Sequence, residues 1–136
     1  MKKPEKGRDA ESEPQILLWE GEPVLSFHPP VVVLPAGMPR RVLRYYRRLE
    51  GNWLRRWEGE VYHRACTAAA EARAGSRPFT PWTAALKAEA ELLEGEKRLC
   101  VRWQVEELLG GRRGILYQGD VWQLPRGEPV VLKEFF

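Results

Sequence analysis

The sequence is dominated by a stretch with no proline, from Arg40 to Arg77, opened by Pro39 and closed by Gly75 and Pro78. A helix accepts proline in its first turn and rejects it further in, so Pro39 marks a start and the residues beyond can run on as one rod. At about 100° per residue, Val42, Tyr46, Leu49, Trp53, Trp57 and Glu60 fall on one stripe, with Arg40, Arg44, Arg47, Arg48 and Arg55 on the opposite side. Past Val61 the segment turns alanine-rich, "ACTAAAEARA", and side chains that small let a helix lie close on a sheet. Its end is predicted near Gly75.

Such a stripe needs a sheet to cover it, and the flanking segments supply strands. Ile16–Trp19 is an apolar run closed by Gly21 and Pro23, and Val31–Leu34 is a second, β-branched run, with Pro29 and Pro30 at the bend between them or at an edge. Residues 83–93 consist of good helix formers, yet Ala84, Leu86, Ala88, Ala90 and Leu92 alternate with Lys87, Glu89 and Glu91. A period of two predicts a half-buried strand, and here we weight period over propensity. Leu99, Val101, Trp103 and Val105 alternate in the same way, "GGRRG" supplies a hairpin turn, "ILYQGDVWQLP" returns, and "EPVVLKEFF" closes the chain. The expected fold class is α+β, one long amphipathic helix packed on an antiparallel β-meander, as one domain over 15–136 after a flexible tail over 1–14.

The chain has 136 residues, 43% apolar and 30% charged, and 14 of them are aromatic (six Trp, four Tyr, four Phe), which suits a small globular core. The formal charge of +3 hides an asymmetry: residues 40–56 carry seven arginines against one acid, Glu50, and the remainder is mildly acidic. Cys66 and Cys100 are too few and too far apart for a disulfide framework or a zinc site, although one bridge between them stays open. No run approaches the roughly 20 apolar residues of a membrane span, and "MKKPEKGRDAESEPQ" lacks the apolar centre of a secretory signal, so the expected location is cytoplasmic.

From Tyr45 onward, "YYRRLEGNWLRRW", "SRPFTPW" and "GDVWQLPRGEPVVLKEFF" together resemble an uncharacterised bacterial domain family related to the extracytoplasmic sensing domains of anti-sigma factors, which also occurs beside peptidoglycan deacetylase domains. In that family a long helix precedes a meander, and a glycine turn leads into a leucine, acid, aromatic segment, matched here by Gly127, Leu132, Glu134 and Phe135. The resemblance implies a noncatalytic binding or sensing module for a protein or envelope-like ligand, and its motifs contain no catalytic residue.

Candidate chemistry is sparse. Glu60 and His63 stand at i, i+3 without the second pair that a carboxylate-bridged metal bundle uses, and His63 and Cys66 are one turn apart in surroundings that would not lower a thiol pKa. His28 has no partner nearby in sequence. Glu106, Glu107 and Asp120 flank one hairpin and would be the acid and base of sugar hydrolysis, but solvated strand edges and a bulge at Gly119 explain them more simply. With no phosphate loop, nucleophile elbow or zinc spacing, we assign no catalytic, cofactor or metal residues and do not expect an enzyme. What remains is the basic side of the helix: Arg40, Arg44, Arg47, Arg48 and Arg55 form a partner surface for a protein or ligand, or alternatively make nonspecific nucleic-acid contacts across residues 40–56. Aromatics placed opposite the cations argue against single-strand stacking. The strand from Val130 would leave an edge that a homodimer covers.

Overall fold

The fold is seen in a computed structural model that describes residues 13–130. Strands β1 (Gln15–Trp19) and β2 (Glu22–Phe27) form a hairpin. A helix follows in three continuous parts: α1 (Arg40–Arg56), a π-helical turn (Trp57–Val61) and α2 (Tyr62–Ala74). Strands β3 (Trp82–Leu93), β4 (Arg98–Leu109), β5 (Arg112–Gln123) and β6 (Glu128–Pro129) then complete a six-stranded curled sheet in chain order, with the 35-residue helix against it. All neighbours are antiparallel except β2 and β3, which pair in parallel over Leu25–Phe27 and Trp82–Ala84. The fold is therefore the expected α+β arrangement, with the helix serving as the long crossover that a parallel pair requires.

Residues 83–93 form a strand, because every second residue meets the helix side while Lys87, Glu89 and Glu91 stay in water. The β4–β5 turn is the two-residue Gly110–Gly111, both at positive φ, as this tight hairpin demands. Val31–Leu34 corrects the sequence reading: it is not a strand. Val32 is buried, but its N–H donates to Glu50 Oε2 at 2.7 Å and its carbonyl accepts from Arg47 Nη2 at 3.1 Å. Helix side chains thus satisfy the backbone groups that a sheet neighbour would otherwise take. The second strand lies earlier, at Glu22–Phe27, where Pro23 stays clear of the parallel pairing. The tail proposed for 1–14 and the closing segment beyond Val130 lie, apart from Glu13 and Pro14, outside the described residues.

Glu60 also departs from its expected stripe and is 61% exposed. Buried helix positions run Val42, Tyr46, Glu50, Trp57, Val61, Ala65, Ala69, Ala72. Steps of four over-rotate an α-helix by about 40° each, and the wider π turn at Trp57–Val61 absorbs that drift. Val61 is brought inward in place of Glu60. The core joins these residues to Val24, Leu25 and Phe27 of β2, Trp82 and Ala84 of β3, Leu99, Val101, Trp103 and Val105 of β4, and Trp122 of β5. There is no bulge at Gly119, which pairs in register with Arg102; the sheet's irregularity falls between Leu17 and Leu18.

Candidate anion-binding groove

Three carboxylates fix the helix in place, and in doing so they shape a groove. Glu107 on β4 accepts from Arg56 through both oxygens at 2.8 Å and from Trp57 Nε1 at 2.9 Å. These donors, Arg56 first, hold its pKa below the usual carboxylate range. Glu50 ties Arg47 to the Val32 backbone. Asp120 on β5 accepts from Tyr46 Oη at 2.7 Å and from Trp103 Nε1 at 3.1 Å, while Tyr46 Oη accepts from Trp122 Nε1 at 2.9 Å. Burial, followed by the nearby Asp120 charge, pushes the Tyr46 phenol well above its ordinary range. Tyr45 is raised as well, by burial first and then by Asp120.

The Tyr46–Asp120 clasp sets the N-terminal half of α1 beside the second half of β5. Between them runs a groove of about 780 Å³, walled by Arg40, Arg41, Arg44, Tyr45 and Arg48 on the helix side. Gln118–Trp122, Pro129 and Val130 form the other wall. The Tyr45 ring lies edge-on to Trp122, centroids 5.1 Å apart, and Gly127 (φ +79°) brings the β5–β6 turn against Pro39 and Val42.

Among the described residues, Arg55, Arg77 and Arg112 lack a carboxylate partner elsewhere, but only on this wall do four such arginines stand together. Arg56, Arg64, Arg73, Arg98, Arg102, Arg113 and Arg126 each lie within 4 Å of a carboxylate, as does Arg47. Among the described residues, Arg40, Arg41, Arg44 and Arg48 have no such partner, and the only carboxylate lining the groove, Asp120, is already engaged by Tyr46 and Trp103. Arg40 and Arg41 also occupy the first turn of α1, which holds no acid and has no side-chain cap. Cations there oppose the helix macrodipole at a cost of about 0.3–1 kcal/mol each. An anion in the groove would reverse that term.

Of the residues singled out by sequence, Arg40, Arg44 and Arg48 line the groove. Arg47 is turned onto Glu50 and Val32, and Arg55 bonds Asn52 away from it. Arg41, which the sequence analysis did not single out, lines it as well. The aromatics are not all opposite the cations either, since Tyr45 is 41% exposed among them. Glu107 and Asp120 do not form a catalytic pair. Glu107 faces Gly114, six residues from Asp120 along β5, or about 20 Å at strand spacing, well beyond the separation that glycoside hydrolysis uses. Glu106 is held by Arg113. Cys66 and Cys100 are both free thiols. Among the described residues no group of three His, Cys, Asp or Glu side chains is placed to hold a metal, and no helix is long and apolar enough to cross a membrane. Compared with known proteins, the sequence matches no family model and no curated protein.

Proposed function

We propose that this chain is a noncatalytic binding module whose ligand is anionic and seats in the groove of Arg40, Arg41, Arg44 and Arg48. The observation that carries this reading is the set of four guanidinium groups left, among the described residues, without carboxylate partners on one concave wall, two of them placed against a helix dipole. Guanidinium is the group suited to carboxylates and phosphates, through its planar fork of donors. The resemblance to anti-sigma sensing domains points toward the same class of protein, a module that recognises rather than reacts. Nucleic acid is the weaker alternative: the groove presents one exposed aromatic ring, Tyr45, beside its four arginines, where single-strand binders interleave several stacking rings with their cations.

Calorimetric titration with poly-L-glutamate tests the reading. Binding should weaken as salt is added and fall at least tenfold in R44E/R48E, while R102E, on the far side of the sheet, leaves it unchanged. Equal binding by R44E/R48E and the parent would remove the groove as the site.

A further inference from the structure

Strand β6 begins a pairing along β5 beside the groove. Trp122 pairs with Pro129 and Gln123 with Glu128, and the Val130 N–H donates to the Val121 carbonyl at 2.8 Å. Carried forward in that register, residues 131–136 fall opposite β5 from Asp120 back to Ile115. In an antiparallel ladder the N–H and C=O of one residue point the same way, so beyond Val121 the outward-bonding residues of β5 are Gly119, Tyr117 and Ile115. Among the described residues, β4 covers the other side of β5 here and no strand covers this one.

The side chains fit this register. Leu116 pairs with Val105 on the helix side of the sheet, yet Leu116 is 45% exposed where Val105 is 2% exposed. Phe135 would stand opposite Leu116, and Phe136 opposite Ile115, which is 38% exposed. Leu132 would stand opposite Gly119, where an added Cβ meets no atom within 4 Å among the described residues. Cross-strand apolar pairs of this kind favour pairing.

Charge opposes it. Trp122 is buried on the helix side, and alternation along β5 gives Asp120 and Gln118 that same side. Their partners Val131 and Lys133 would therefore face the helix. Lys133 would then stand beside Gln118 in the groove's lining, together with arginines that, among the described residues, have no carboxylate partner. A further cation in that place is repelled by its neighbours until an anion joins them.

We infer that residues 131–136 are a strap that extends β6 along β5 and lengthens the groove's second wall, and that the anionic ligand closes the strap by offsetting the charge of Lys133. Strand extension stands on the β5 edge and the register of β6. The coupling rests on the anion-binding reading above and adds Lys133 to its binding residues. Such coupling is reciprocal, so losing the strap weakens the hold on the anion.

Residue-resolved hydrogen exchange on the full chain, with and without tripolyphosphate, provides the test. Tripolyphosphate should slow the amides of Gly119, Tyr117 and Ile115 at least tenfold. Leu132→Pro, which removes the N–H facing Gly119 and keeps every charge, should abolish that slowing and weaken tripolyphosphate binding. Lys133→Glu should slow the same amides at least tenfold with no anion added, because its carboxylate takes the anion's place, whereas Glu134→Gln, on the opposite face, should not. If the groove arginines bind tripolyphosphate but the three amides exchange alike with and without it, in the parent and in Leu132→Pro, the strap is wrong and the anion groove stands. If tripolyphosphate does not bind while Leu132→Pro still speeds these amides, the anion reading and the coupling fail and the strand extension survives. Exchange in Lys133→Glu as fast as in the parent would overturn the place given to Lys133. Slowing that rises with protein concentration would put a second copy on the edge and overturn the strap.

Discussion

Arg40→Glu/Arg41→Glu should make the protein more stable and less able to bind. Both arginines sit in the first turn of α1, which has no acid, begins at Pro39 and lacks a side-chain cap. Removing a cation from this position relieves about 0.3–1 kcal/mol, and installing an anion adds a similar amount, giving about 1–4 kcal/mol for the two sites at low ionic strength. Urea unfolding at pH 7 in low salt would show the gain as a higher midpoint at unchanged slope, shrinking as salt screens it. Titration with poly-L-glutamate on the same samples should show weaker binding. The two effects in opposite directions identify a functional placement, since a structural arginine would lose stability when reversed. A lower midpoint in the double variant would refute the reasoning, because it would mean these guanidinium groups support the fold.

Three further outcomes follow from the clasps. Tyr46→Phe leaves the Trp122 N–H without its acceptor and takes one donor from Asp120, which should cost about 2–4 kcal/mol in urea unfolding, whereas Tyr117→Phe, at a 69% exposed ring, should cost less than about 0.5 kcal/mol. Glu107 has a depressed pKa in the folded state, so its contribution is complete above the ordinary carboxylate value and is lost as pH falls through the lower, folded value. Glu107→Gln should therefore cost about 1–3 kcal/mol at pH 7 and flatten the loss of stability below about pH 4.5, read from urea midpoints across pH. Gly127→Ala places a Cβ 3.1 Å from Pro39 Cβ and 3.2 Å from Val42 Cγ2 at a φ of +79°, and should cost about 1–3 kcal/mol while loosening the groove's end, measured as a lower melting temperature and weaker anion binding.

The helix was legible because proline spacing and amphipathic period are local signals. Residues 83–93 were legible because a sheet with one wet face writes its alternation directly into sequence, overriding helix propensity. Strand β2 was missed because its recognisable part is short and begins beside Pro23, while the more β-branched Val31–Leu34 drew the assignment. Nothing in Val31–Leu34 itself reveals that Glu50 and Arg47, far along the chain, bond the Val32 backbone. The π turn has no strong signature in "WEGEV", so the phase error at Glu60 was unavoidable from a fixed 100° rotation. The basic wall of the groove could be read from arginine spacing, Arg41 apart. Its other wall could not, because Tyr46 and Asp120 are 74 residues apart and only tertiary pairing brings β5 beside α1.

The most direct measurement of the central claim is the NMR signal of each arginine Nε–H during titration with poly-L-glutamate. Arg40, Arg41, Arg44 and Arg48 are expected to shift together and saturate at one ligand concentration, while Arg102 and Arg113 across the sheet stay in place. Uniform small shifts over all exposed arginines, or saturation centred on residues outside the groove, would contradict it.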